Sequence, residues 1–306
     1  MTAPPARPLR LGLLQYPVER PAGIAAFGAK LDRWIAQARG QAELLVLPEY
    51  ACVELGAALV GCDDQGLAPP AATDEATELA ALVAAADDIL AEMRAAAMRN
   101  ATWLLAGTLP VRAGGRVVAR APLIAPDGRM AFQEKRSMTR FESERWGVSA
   151  GAPPNVFDTP WGRIGIAICY DVEFPKLVRV QVEAGAWLIL APSCTDTMHG
   201  FTRVRASAAA RAIENQCFVA CTPTVGEAPW SAALDVNRGY AAVFGPADHG
   251  FPEDGVLAAG TLDTAQWVFC ELDPARIAEV RVHGAVRNHR DWPRQPVPPP
   301  RPAEFA

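Results

Sequence analysis

The chain lacks the features that would place it in a membrane, on nucleic acid or around a metal. No uninterrupted apolar stretch is long enough to span a bilayer, and Met1-Thr-Ala-Pro-Pro-Ala-Arg-Pro does not have the basic-then-apolar layout of a signal peptide. A cytoplasmic protein with no membrane partner is expected. There is no cluster of Lys and Arg, and 29 basic against 34 acidic side chains leave a formal charge of -5. That balance argues against nucleic acid and for a small-molecule partner. The seven cysteines, at 52, 62, 169, 194, 217, 221 and 270, form no Cys-x-x-Cys pair, and none of the four histidines stands at metal-ligand spacing. Neither a disulfide framework nor a metal site is indicated. No repeat of fixed period and no composition break marks a linker.

What is present is a large apolar fraction in alternating patterns. Half of the 306 residues are hydrophobic, ample for a deep core. Strand-like runs at 9–18, 42–50, 102–110, 117–125, 130–135, 163–170, 187–192, 217–224, 240–244 and 267–272 are interspersed with helix-like stretches at 23–39, 74–100, 173–184, 201–215 and 274–282. Such alternation means α/β layers. The short turn signals Pro126-Asp-Gly-Arg and Thr159-Pro-Trp-Gly join neighbouring strands directly, so part of the sheet is expected to be antiparallel. A single domain over 9–292 is expected, with a flexible N-terminal tail at 1–8 and a Pro-rich C-terminal tail at 293–306. Proline keeps that tail extended and out of the sheet; a surface or disordered tail is favoured over an SH3-type ligand.

Three strand ends carry chemistry. Glu49 closes the run 43–49, Lys135 closes 130–135, and Cys169 closes 163–169 ahead of the helix-like segment from Glu173-Phe-Pro. Strand ends are where ligand sites collect in α/β architectures. A thiol at a strand-to-helix turn is expected to feel the helix macrodipole, which favours the thiolate. Cysteine nucleophiles commonly use a histidine base. His199 is the one histidine near a strand end, and a Cys169–His199 dyad stays open at this point.

Read together, Leu-Pro-Glu-Tyr (47–50), Glu-Lys-Arg-Ser-Met-Thr-Arg-Phe-Glu (134–142) and Gly-Ile-Ala-Ile-Cys-Tyr-Asp-Val-Glu-Phe-Pro (165–175) resemble the carbon-nitrogen hydrolase, or nitrilase, superfamily. The likeness continues through 191–197 and 211–220. The resemblance implies a four-layer α-β-β-α sandwich with mixed sheets. It makes Cys169 the nucleophile, Glu49 the general base and Lys135 the oxyanion stabiliser, with no cofactor or metal. A second glutamate is usual after the lysine; Glu142 has the matching offset and Glu144 is its competitor. Tyr50, Phe141, Trp146, Tyr170, Cys194 and Thr195 flank these positions and are the expected substrate-binding residues. Cys217 and Cys221 read as core, and Arg211-Ala-Ile-Glu-Asn as a packing and ion-pair element.

The motif Cys-Tyr-Asp is similar to the amidase-like branches, which implies hydrolysis of a small amide to a carboxylic acid and ammonia through a thioester. Many such members carry an arginine two residues after the aspartate, where this chain has Glu173. Acyl transfer to an amine, hydrolysis of an N-carbamoyl group or nitrile, and a non-catalytic binding role are the rival readings. A homodimer or higher homo-oligomer is expected from the resemblance.

Overall fold

A computed structural model describes residues 6–60, 74–292 and 302. Most of the tail at 1–8, the tail at 293–306 apart from position 302, and Cys62 lie outside the described residues. The strands are β1 (Leu9–Pro17), β2 (Leu44–Leu47), β3 (Trp103–Ala106), β4 (Leu109–Ala113), β5 (Arg116–Ile124), β6 (Met130–Glu134), β7 (Val156–Thr159), β8 (Gly162–Ile166), β9 (Leu188–Ser193), β10 (Phe218–Glu227), β11 (Val236–Asn237), β12 (Ala242–Phe244), β13 (Val256–Ala259) and β14 (Gln266–Leu272). The helices are α1 (Ile24–Gln37), α2 (Gly56–Leu59), α3 (Glu75–Ala84), α4 (Ala86–Arg99), α5 (Pro175–Glu183), α6 (Met198–Asn215), α7 (Pro274–His283) and α8 (Asn288–Asp291).

The strands form two stacked halves in the order β4-β5-β3-β2-β1 and β10-β9-β8-β7, joined where the end of β1 pairs with β10 at Tyr16–Thr224 and Pro17–Val225. β1–β2–β3 and β8–β9–β10 run parallel, whereas β3–β5, β4–β5, β5–β6 and β7–β8 are antiparallel. Both turn signals read from the sequence fall at these last two hairpins. Period-two burial explains the layering. In β1, Leu9, Leu11 and Leu13 face a core shared with β8, β9 and β10, while Leu14 and Tyr16 face the layer of α1 and α4. Val178 and Val182 of α5 and Ala208 and Ala212 of α6 cover the opposite sheet. This is the four-layer α-β-β-α sandwich with mixed sheets. The helical run at 74–100 breaks at Ala85 into α3 and α4, the strand-like run at 102–110 divides into β3 and the start of β4, and β7, β11 and β13 have no counterpart among the expected strands.

Among the described residues no helix is long and apolar enough to cross a membrane. Cys217 and Cys221 are buried in the core between strands and helices.

The segment after β2 is anchored from below by a buried ion pair. Lys30 of α1 donates to Glu54 at 2.7 Å and to the Pro17 carbonyl at 2.6 Å, and the Tyr16 hydroxyl donates to the same carboxylate. Burial pulls the Lys30 pKa down and pushes that of Glu54 up. Each charge therefore depends on the other, and both hold the backbone that carries Glu49.

Candidate active site

All three strand-end groups line one cavity, and two of the strand ends, at Glu49 and Cys169, turn sharply there. Tyr50, just after Glu49, has φ 60°, and Cys169 has φ 46°. The left-handed region costs a residue with a side chain about 1–2 kcal/mol, so both turns are held by surrounding contacts. The Tyr50 N–H donates to Thr108 Oγ1 at 3.1 Å. Gly107 (φ +76°) passes so close to Pro48 that a Cβ would lie 2.3 Å from its carbonyl oxygen, so only glycine lets the strand end approach.

After Cys169 the chain forms a tight 3₁₀ turn over Cys169–Glu173 before α5 begins at Pro175. Asp171 within it accepts from the N–H groups of Arg136 at 3.1 Å and Ser137 at 2.7 Å, the two residues following Lys135. The thiol segment and the lysine segment are thus tied by one buried carboxylate. Arg211 of α6 reaches the Val172 and Glu173 carbonyls at 3.4 Å and pairs with Glu214, in keeping with a packing element.

Lys135 lies at the centre. Its ammonium donates to Glu49 Oε1 at 2.7 Å and Glu142 Oε1 at 2.6 Å, with all three side chains at most 2% exposed. Burial works against its charge, but the two carboxylates outweigh that and hold its pKa well above that of free lysine.

The carboxylates differ in their surroundings. Burial would raise the pKa of Glu142, but Lys135, the Tyr50 hydroxyl and Thr139 outweigh it, so Glu142 stays ionised below its usual range. Thr139 alone donates twice to Oε2, from N–H at 2.8 Å and Oγ1 at 2.9 Å. A carboxylate with four donors on it is a fixed anion, not a base. Glu49 has Lys135 as its one strong donor, and burial raises its pKa to about 7. Glu49 is therefore the carboxylate able to exchange a proton near neutrality.

Cys169 Sγ lies 3.6 Å from the Cys194 carbonyl. Burial, then the neighbouring Glu49 carboxylate, push its pKa well above that of a free thiol. The macrodipole expectation is therefore corrected. Cys169 opens a five-residue 3₁₀ turn that precedes α5, and desolvation dominates, so the thiol rests protonated.

Glu49, Tyr50, Lys135, Phe141, Glu142, Cys169, Tyr170, Cys194 and Thr195 all line one cavity of about 730 Å³. Trp146 does not. It is buried behind the wall, with its ring 5.2 Å from Tyr50 and 4.9 Å from Phe141, and acts as a buttress. Glu144 is well exposed and paired with Arg140 at 3.1 Å, turned away from Lys135. His199 is exposed at the start of α6 and does not line the cavity, so no histidine stands beside Cys169.

The far wall, residues 232–237 around β11, was not read from the sequence. It is tied to α3, where Glu78 accepts from Ser231 Oγ at 2.6 Å and from the Ala232 N–H at 3.2 Å. Glu75 of the same helix pairs with Arg145, beside Glu142. Asn237, the last residue of this wall, accepts from Thr224 Oγ1 at 2.8 Å. Among the described residues no group of three or more His, Cys, Asp or Glu is placed to hold a metal ion.

An α-β-β-α sandwich with a thiol, an ammonium and two carboxylates on one pocket carries groups of the kinds that can serve as nucleophile, base and anion stabiliser. Comparison with known proteins supplies a family. A model of the carbon-nitrogen hydrolase family matches residues 10–281. The probable hydrolase YhcX of Bacillus subtilis is 29% identical over 94% of this chain and 54% of its own length. The omega-amidase NIT2 of Bos taurus is 28% identical over 58% of this chain and 64% of its own. This chain thus spans about half of the first relative and under two thirds of the second. The crystal structure of an amidase from Nesterenkonia sp. superposes with a TM-score of 0.69 at 23% identity, over 95% of this chain and 99% of that one, a likeness of fold. The chain belongs to the carbon-nitrogen hydrolase family.

Proposed function

We propose that this chain hydrolyses a small amide to a carboxylic acid and ammonia through a thioester on Cys169. The observation that carries the reading is the buried Glu49–Lys135–Glu142 array in the same pocket as the thiol. Glu49 takes the thiol proton as sulfur attacks the carbonyl. The oxyanion forms beside the Lys135 ammonium, and the Tyr170 N–H at the start of the 3₁₀ turn adds a second donor. Protonated Glu49 then delivers its proton to the leaving nitrogen, the C–N bond breaks and ammonia departs. Water, deprotonated by the same glutamate, attacks the thioester; the C–S bond breaks, releasing the acid and restoring the thiol. Glu142, saturated with donors, fixes Lys135 instead of moving protons.

The direct test is ammonia release from a panel of ω-amides, aliphatic amides, N-carbamoyl amino acids and nitriles. Release from an amide by the wild type, absent in Cys169→Ala, is the expected result. Release from nitriles or N-carbamoyl compounds alone would replace the amide reading. Hydroxamate formed preferentially when hydroxylamine is added would turn it toward acyl transfer.

The charge state of Glu49 sets a pH dependence. Only ionised Glu49 can accept the thiol proton, and its pKa lies at about 7. Activity should therefore fall as pH drops through that value, approaching tenfold per unit below it, with the midpoint belonging to the Glu49–Lys135–Glu142 array as a unit. A kcat/KM profile that stays flat from pH 8 to 5.5 would remove Glu49 as the base.

A further inference from the structure

The cavity walls carry more charge than this chemistry uses. Outside the buried array, three arginines line the pocket, and each is already engaged: Arg140 by Glu144, Arg145 by Glu75, and Arg203 by Glu173. Two further wall acids, Asp196 and Asp235, form no ion pair among the described residues. Asp196 accepts from the Thr197 hydroxyl at 3.3 Å and Asp235 from the Val236 N–H at 2.7 Å. Among the described residues an anionic substrate would therefore meet no wall cation without an ion-pair partner and at least two carboxylates without one.

Glu173 is the most informative of these acids. Its side chain is 17% exposed, whereas that of Arg203 is 62% exposed, and the two are 3.6 Å apart, beyond hydrogen-bond length. Among the described residues Arg203 is the one partner given to its carboxylate, a long contact from a mostly exposed side chain. Burial raises its pKa in spite of Arg203. A largely desolvated carboxylate with open acceptor positions on a pocket wall carries a penalty that a bound donor would remove. Glu173 belongs to the same 3₁₀ turn as Cys169, so a group held there has a fixed place relative to the sulfur.

We propose that Glu173 receives a primary ammonium group of the substrate, with Asp196 and Asp235 adding negative potential around it, so that the amide hydrolysed carries positive charge away from the scissile bond. The proposal rests on the amide-hydrolase reading above and names its substrate class. A neutral chain would leave Glu173 unsatisfied, and a carboxylate would be repelled by it.

The test uses three primary amides on one four-methylene tether: 5-aminopentanamide, hexanamide and the half-amide of adipic acid, which end in an ammonium, a methyl and a carboxylate. In the wild type, kcat/KM should fall in that order, the ammonium exceeding the methyl by about tenfold or more. That ratio should collapse toward one in Glu173→Gln, mainly through KM, and widen in Arg203→Gln, which frees the carboxylate. Added salt should lower the rate with the cation and spare that with the neutral amide. Preference for methyl or carboxylate in the wild type, or a ratio unmoved by Glu173→Gln, would overturn the proposal. Cys169-dependent release from any one of the three amides leaves the amide-hydrolase reading standing when the charge order fails. Release from none, or equal release by Cys169→Ala, would bring down that reading and the substrate class with it.

Discussion

If Cys169 is the nucleophile proposed above, Cys169→Ala should lose turnover by a factor on the order of 10⁶ and keep its fold. The site offers no substitute. Cys194 lines the same cavity, but burial pushes its pKa to about 12 and its sulfur is already bonded to Asn237 and Thr224. Glu49→Gln keeps the shape and removes the base, so it should fall nearly as far. Cys169 rests protonated, and an amide side chain cannot take its proton. The two effects should not add. Once sulfur cannot attack, the state of residue 49 no longer matters, and the double variant should match Cys169→Ala. Single-turnover ammonia release and intact-protein mass after incubation with substrate check both. An acylated Cys169 in the wild type that never forms in Glu49→Gln would place the glutamate in the first half of the cycle. Residual activity of a tenth or more in either purified variant would end the scheme.

The strand ends were legible because three unlike groups, Glu49, Lys135 and Cys169, each closed an apolar run; β2 and β8 sit in parallel pairs, and β6, two antiparallel pairings from β3, runs the same way as β3. The distinction between Glu142 and Glu144 was not, since both sit on one short turn over Phe141–Arg145 and its geometry decides which points inward. Trp146 shows the limit of reading pocket walls from neighbours in sequence. It directly follows a cavity residue, Arg145, yet the turn folds its ring behind Tyr50. Tyr50 itself turned out to be more than a wall, because the left-handed backbone beside Glu49 swings its hydroxyl onto Glu142. The helix-dipole expectation failed for a countable reason: a helix end was read where a five-residue 3₁₀ turn stands, and desolvation governs a thiol that far inside. The wall at 232–237 had no signal at all. It reaches the site by a long return of chain and is held there by Glu78 of α3, a contact no local pattern encodes. Asp171 was quoted within a motif but given no task. Its two hydrogen bonds to the residues after Lys135 show why a carboxylate follows the cysteine at that spacing.

Lys135→Met should cost both turnover and stability, and the stability loss should depend on pH in a direction that separates the two roles of the lysine. Loss of one donor to an oxyanion costs about 10²–10³ in kcat, and here the same change also frees Glu49 and Glu142 from their shared cation. In the wild type, Lys135 has a raised pKa, so its contribution is complete below the pKa of an unfolded lysine. Glu142 has a lowered pKa, so its contribution is present above the usual glutamate value and is lost as pH falls through its folded value. Without the ammonium, burial and mutual repulsion raise both carboxylates above their unfolded values. The native state then holds more protons than the unfolded chain, and stability falls as pH rises. Removing one partner of a buried pair typically costs about 3–5 kcal/mol, and that loss should be nearly complete at pH 8 and partly recovered at pH 5. Denaturant melts of wild type and Lys135→Met at both values read it. Adding Glu142→Gln should restore much of the stability at pH 8, because a single buried carboxylate remains, and none of the activity. An equal loss at both pH values would mean that the lysine stem, through packing alone, is what the fold requires.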